Sequence, residues 1–281
     1  MTQKVAVVTD SLACLTKELV EQYGIVIIPI NFYAGGKLYN ITPSQAYELF
    51  LKDPETFKTS AASPDDCLRA FRNASRRAKD IVCITVSVKL SSVYNVAHDS
   101  REIAKPELPG TNIEIIDSET ATPAEGFVAL AAARAAEAGK NLSEVCHAAR
   151  QVKDKVHCVV FLDTIRHVYR SGRIPKIASQ VGSILNIKPI FTVSGAVHFT
   201  SAVRNRQHGI KRILEMTREK VGQKPVHVSV FHAYDLDEAI KLKERVAQEF
   251  NCVEIWLGEF SPVMGYACGT GAIGLTFYTE D

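Results

Sequence analysis

Apolar positions fall into two alternating rhythms along the first 160 residues. Residues 4–8 form a short apolar run closed by Thr9-Asp10-Ser11, which predicts a first strand. Leu15, Leu19, Val20 and Tyr23 then recur at helical spacing, with Gly24 placed to end the helix. Residues 25–30 are apolar and β-branched and predict a buried strand. Ala34-Gly35-Gly36 breaks the next stretch and predicts a hairpin. Thr42-Pro43-Ser44-Gln45 is a capping box with Pro at the first helical position. Ser63-Pro64-Asp65-Asp66 opens another helix: Ser63 caps it, and the acids suit the positive end of its dipole. Residues 81–86 and 113–116 predict strands. Thr122-Pro123-Ala124-Glu125 repeats the capping-box pattern ahead of an Ala-rich helix ending near Gly139. Strands alternating with helices predict an α/β fold built on a mostly parallel sheet.

The pattern changes near residue 160. Residues 156–162 are apolar, and residues 187–193 and 196–203 flank Ser194-Gly195, which predicts a hairpin and an antiparallel pair. Residues 226–231 and 253–257 predict strands joined by a helix over 237–250, and 271–278 predicts a closing strand. The expectation is two domains: 1–162, an N-terminal α/β domain, and 163–281, a smaller mixed α/β domain. A chain of 281 residues fits that count, since one domain takes roughly 150 residues.

Composition narrows the class. Hydrophobic residues at 46% and charged residues at 23% describe a globular chain and exclude a disordered one. A net charge of +2 gives no bulk-charge argument for nucleic-acid binding. No apolar run approaches the roughly 18 residues of a membrane span. The start, MTQKVAVVTDS, is interrupted too soon for a signal peptide. The seven cysteines are odd in number, lack CxxC spacing and lie mostly in apolar stretches. They read as reduced thiols of a cytoplasmic protein.

The most conspicuous motif is a decoy. Residues 269–274 match G-x-G-x-x-G, yet too few residues follow for the helix and second strand of a dinucleotide site. The segment reads as a Gly-rich turn where backbone approaches something closely. The eight histidines show no HExxH and no i, i+4 pair, so no metal site and no cofactor are expected. Asp235-Leu236-Asp237 reads as a helix cap, and GxSxG is absent. What remains is a set of hydroxyl-rich turns at strand ends: Thr9-Asp10-Ser11, Lys58-Thr59-Ser60, and Ser87 with Ser91-Ser92. Beyond the carboxyl ends of α/β strands, such groups and helix N-termini hold anions. The segment running from Arg166 through Arg170 to Arg173, and Arg204 with Arg206, offers either solvated charge or an anion clamp.

Taken in order, Val8-Thr9-Asp10-Ser11, Lys58-Thr59-Ser60 with Ser63-Pro64, and Leu90-Ser91 with Tyr94 resemble the signature pieces of the DegV family. So do Tyr169 to Ile174, Lys188-Pro189-Ile190, and Pro262-Val263-Met264-Gly265 with Gly269, Gly271-Ala272 and Phe277-Tyr278. The resemblance spans some 270 residues. It implies a two-domain α/β protein that buries one long-chain fatty acid, its tail in an apolar tunnel of the N-terminal domain and its carboxylate at the domain interface. The carboxylate hydroxyls implied are Thr59 or Ser60, and Ser91 with Ser92 beside it. Some members present the acid to a separate fatty acid kinase, so the implied protein is a carrier and not an enzyme. Arg170, Arg173, Arg204 and Arg206 are then candidates for anion or partner contacts.

Two departures touch the polar end of that implied site. The family's C-terminal G-x-H-x-G-P-G is here Gly265-Tyr266-Ala267-Cys268-Gly269-Thr270-Gly271, with Ala267 in place of the His. Its L-S-G-T is here Leu90-Ser91-Ser92-Val93. Tyr266, the neighbouring residue in sequence, is a candidate to supply a hydroxyl instead. Two alternatives stay open: a binder of another anionic metabolite, and a phosphoryl- or acyl-transfer enzyme using Ser91 or Asp10 with Arg173.

Overall fold

The computed structural model describes residues 4–39, 42–165, 172–173 and 187–280. In chain order, the first elements are β1 (Val5–Asp10), α1 (Lys17–Tyr23), β2 (Val26–Ile28), β3 (Asn31–Ala34), β4 (Lys37–Tyr39) and α2 (Pro43–Lys52). They are followed by β5 (Lys58–Ser60), α3 (Pro64–Ser75), β6 (Asp80–Thr85), α4 (Val93–Ala104), β7 (Asn112–Asp117), α5 (Pro123–Glu137) and α6 (Leu142–Lys155). Then come β8 (His157–Phe161), β9 (Lys188–Ser194), β10 (Ala196–Val203), α7 (Arg206–Val221) and β11 (Val226–His232). The last are α8 (Leu236–Glu249), β12 (Cys252–Glu259), α9 (Pro262–Cys268) and β13 (Ile273–Thr279).

Contacts divide the chain into two compact units, 1–31 with 60–155, and 32–59 with 156–281. The single boundary expected after residue 162 is therefore replaced by three crossings. Residues 32–59 are absorbed into the second unit, because their aromatic side chains pack on its C-terminal segment.

The first unit is a parallel sheet in the order β2-β1-β6-β7. All six residues of β1 are buried, as a strand covered on both faces requires. α5 lies against β1 and β6, and 11 of its 15 residues are buried, which its run of alanines permits. Gly126 lets α5 seat on the turn after β1, since a Cβ there would stand 2.6 Å from the carbonyl oxygen of Ala13. The strand expected over 25–30 is shorter, limited to β2. The capping box of α3 forms as its sequence predicts, Ser63 and Asp66 exchanging bonds. The one at Thr122 does not: Thr122 sits at φ +66° and makes no cap, and Glu125 is buried instead.

The second unit carries a six-stranded sheet in the order β10-β9-β8-β13-β11-β12. Only β11 and β12 pair parallel, and the other neighbours are antiparallel. β13, the last strand in sequence, lies inside the sheet between β8 and β11. α7 and α8 cover one face over Val159, Phe161, Val228, Val230, Leu275 and Phe277. Gly274 in β13 is where backbone approaches closely, as the Gly-rich segment predicts: a Cβ would meet the Val159 carbonyl oxygen at 2.5 Å and the Phe231 ring. The small sheet β4-β3-β5 and α2 complete the unit. There Phe32, Phe50 and Phe57 form a core with Tyr266, whose ring stacks on Phe57 with centroids 5.9 Å apart.

None of the seven cysteines is in a disulfide, and six of them are buried. No helix among the described residues is long and apolar enough to cross a membrane.

Candidate functional site

The carboxyl ends of β1, β6 and β7 share one edge of the parallel sheet, and three polar turns follow from them. After β1, the turn is fully engaged in holding the fold. Thr9 donates to Glu125 at 3.2 Å, and Ser11 accepts from the Ile30 amide at 3.0 Å. Asp10 accepts from the amides of Leu12 and Val86, each at 2.9 Å. Asp10 and Glu125 are completely buried, and the charge of Asp10 acts on Glu125. Burial pushes the Asp10 carboxyl up to about 6, and burial together with the Asp10 charge holds Glu125 well above the usual carboxylate range. Glu125 therefore carries the proton of the pair. This coupling is the feature that the sequence reading missed. Its signal was a lone Glu followed at once by Gly126-Phe127-Val128, a setting too apolar for an exposed cap residue.

The turn after β6 is organised differently. The Ser87 amide donates to the Thr120 carbonyl at 2.8 Å, and the Val88 amide meets the Asp117 carboxylate at 3.4 Å. The amides of Leu90 and Ser91 fold back on the Ser87 carbonyl at 2.9 and 3.1 Å. This rigid frame delivers Ser91, half-buried, and Ser92, exposed, to the start of α4. Ser92 holds the N-cap position, yet its side chain makes no cap bond. Neither hydroxyl has a hydrogen-bond partner among the described residues.

Thr59 and Ser60 lie in the short strand β5, not in a turn as expected. Their hydroxyls are likewise uncommitted among the described residues. Ser60, Ser91 and Ser92 belong to the first unit and Thr59 to the second. The four implied carboxylate ligands are thus separated by their availability from the Thr9-Asp10-Ser11 turn, whose polar groups are already engaged.

The remaining candidates fall in the second unit, apart from Arg170, which lies outside the described residues. Arg173 and Arg204 are exposed. Arg206 is engaged rather than open: it donates to the Gly271 carbonyl at 2.8 Å, pairs with Asp235 and approaches Asp163 at 3.6 Å. Asp163 in turn holds Lys188 at 2.6 Å. Arg206 is a strut for the chain before β13, and Asp235, expected to cap α8, is its counter-ion instead and makes no cap. The expected C-terminal loop at Gly265, Tyr266 and Ala267 is the helix α9, ended by Gly269 at φ +76° and followed by Gly271 at φ +81°. Gly265 is buried against Tyr47, whose hydroxyl donates to the Phe260 carbonyl at 3.0 Å. Ala267 is half-buried on the same helix.

The transfer-enzyme alternative loses one of its two nucleophiles to this geometry. Asp10 is fully buried, with its two oxygens held by backbone amides. Among the described residues no His, Asp, Glu or Lys hydrogen-bonds Ser91 as a base would.

Comparison with known proteins covers the whole chain. Residues 4–280 match the family model described as "Uncharacterised protein, DegV family". A DegV domain-containing protein of Clostridium perfringens is 31% identical, over 98% of this chain and 99% of that one. One of Listeria monocytogenes is 30% identical over 99% of each. Among solved structures, a DegV family protein from Thermus thermophilus, described by its fatty-acid binding, superposes with a TM-score of 0.87 at 25% identity, covering 98% of this chain and 99% of that one. DegV from Bacillus subtilis, described as a fatty acid binding protein, gives a TM-score of 0.87 at 26% identity over 99% of both.

Proposed function

The chain belongs to the DegV family, and from that membership we propose that it binds one long-chain fatty acid. The observation that carries this reading is full-length likeness, at 25% and 26% identity, to two solved proteins described as fatty-acid binding. In this reading the tail is buried in the first unit, and the carboxylate accepts hydrogen bonds from that unit's Ser91, Ser92 and Ser60. The uncommitted state of those hydroxyls supports it.

The energetics favour the tail. Each buried methylene contributes about 0.8 kcal/mol, so a chain of roughly 15 gives on the order of 10 kcal/mol gross. One charge-assisted hydrogen bond adds about 1.5–3 kcal/mol. Ala267, in place of a His, therefore re-tunes affinity without abolishing it. The protein acts as a carrier that is not itself a catalyst, and it presents the carboxylate to a separate fatty acid kinase, with exposed Arg173 and Arg204 in the docking patch.

Native mass spectrometry of the purified protein tests the reading. One equivalent of fatty acid is expected, released intact into organic solvent. A protein that carries no lipid and fails to take up added palmitate would overturn it. Kinase presentation is tested separately, by supplying the loaded protein to a family kinase and measuring acyl phosphate. Replacing Ala267 by His is expected to raise that turnover more than it raises affinity.

A further inference from the structure

A second polar concavity opens at the carboxyl ends of the parallel strands β11 and β12, wholly within the second unit. It is a cavity of about 480 Å³. His232 and Glu259 line it from the two strand ends, Tyr234, Asp235 and Asp237 from the start of α8, and Ser44 from α2. In open α/β sheets this is the position where ligands bind.

Two groups in the cavity lack partners among the described residues. His232 is only 4% exposed, and its Nδ1 accepts from the Asp235 amide at 3.1 Å. The proton of the neutral ring is therefore on Nε2, which has no hydrogen-bond partner among the described residues. Glu259 is half-buried and makes no hydrogen bond or ion pair among the described residues. Burial raises its carboxyl above the usual range, so a cation beside it would be welcome. The two residues are paired in register on adjacent strands, and such neighbours lie about 4.8 Å apart. A ring donor facing the cavity and a half-buried carboxylate, side by side and without partners among the described residues, offer two-point recognition of one small molecule.

The rest of the lining sets the sign of the charge. Arg206 neutralises Asp235, whereas Asp237 is exposed and adds negative charge. No Lys or Arg among the described residues lines the cavity. The ring of Tyr234, 40% exposed and stacked on Tyr47, adds an aromatic face suited to a cation. A free anion would meet Glu259 and Asp237, and an apolar ligand would leave both polar groups unpaired. No three His, Cys, Asp or Glu side chains among the described residues are arranged to hold a metal ion.

We propose that this cavity binds a small aliphatic amine bearing an oxygen atom two carbons away, its ammonium on the Glu259 carboxylate and its oxygen accepting from His232 Nε2–H. The amino alcohols and α-amino acids share that chemistry.

The test uses the full chain and ethanolamine as the probe, with ethylamine, ethylene glycol and acetate as comparators. Binding is followed by calorimetry and by long-range proton–nitrogen NMR of the His232 ring. Ethanolamine is expected to shift the His232 Nε2 resonance and to bind about tenfold more tightly than any comparator, the worth of one charge-assisted bond. Glu259→Gln is expected to cost about tenfold for ethanolamine and nothing for ethylene glycol. It should leave the fatty-acid content unchanged, so this site and the proposed acyl site fail independently. His232→Asn, whose amide oxygen can replace Nδ1 in accepting from the Asp235 amide, should bring ethanolamine down to the affinity of ethylamine. The proposal is overturned if the His232 resonance stays still at saturation, if acetate competes as well as ethanolamine, or if Glu259→Gln leaves ethanolamine affinity unchanged.

Discussion

Gly265 lies directly on the ring of Tyr47: a Cβ at this position would stand 2.5 Å from the tyrosine hydroxyl oxygen and closer still to the ring edge. The contact joins α9 to α2, and Tyr47, 1% exposed, has no room to retreat. Gly265→Ala should therefore destabilise the protein by about 1–3 kcal/mol through overpacking. A lower urea midpoint with an unchanged slope is the expected result. Adding Tyr47→Leu should recover part of the loss. A strictly additive double variant would mean that the ring is not what the methyl strikes.

The proposed anchor is tested by comparing two ligands on one variant. Ser91→Ala should weaken binding of a free long-chain acid by about 1–2 kcal/mol, because the carboxylate loses one donor. The methyl ester of the same chain accepts more weakly and should lose little. Equal losses for both ligands would remove Ser91 from the site.

Arg206 separates a structural role from an anion-binding one. Arg206→Met leaves Asp235 and the Gly271 carbonyl without their donor and should cost about 2–3 kcal/mol of stability. Fatty-acid affinity should be unchanged where the protein remains folded. A variant as stable as the parent but unable to bind the acid would show the guanidinium to be a ligand contact.

The buried Asp10–Glu125 pair gives stability a pH dependence of definite sign. Both carboxyls are raised by folding, Asp10 to about 6 and Glu125 further. Between the unfolded value of about 4 and these folded values, the native state binds more protons than the unfolded one. Stability from this pair is therefore present in full at low pH and is lost as pH rises through 6 and beyond, by up to about 1.4 kcal/mol per pH unit for each proton. His157 and His232, lowered by burial, act in the opposite direction below about 6.5. Comparison with Glu125→Gln cancels them, since the amide mimics the protonated acid. Urea midpoints of the parent should fall relative to those of Glu125→Gln from pH 5 to pH 8. Parallel profiles would show that folding does not raise the Glu125 carboxyl.

Local rules carried the sequence reading far. The capping box of α3, the hairpin at Gly35-Gly36 and the Gly24 helix end each depend on a few adjacent residues, and each forms as written. The failures share a cause of another kind. Thr122 and Glu125 satisfy the letter of a capping box, yet Thr9 and Asp10, more than a hundred residues away, recruit the glutamate. Asp235 looks like a cap until Arg206 claims it. Residues 32–59 belong to the second unit because Phe57 stacks on Tyr266, a partner some two hundred positions distant. The candidate hydroxyls were legible by position, whereas only the fold distinguishes the uncommitted Ser91 from the engaged Ser11.

The place of β13 inside its sheet bears on how the protein is made. β8 and β11 flank it but are not paired with each other, and both emerge from the ribosome earlier. Until β13 is synthesised, each presents an open edge, and the Phe32–Phe57 cluster waits for Tyr266 from the same late segment. The first unit needs nothing beyond residue 155, so it can fold on the nascent chain. The second unit cannot close its sheet until β13 has emerged. A ribosome stalled before residue 273 would release a chain with one finished unit and an unclosed sheet, the kind of product that proteolytic quality control removes.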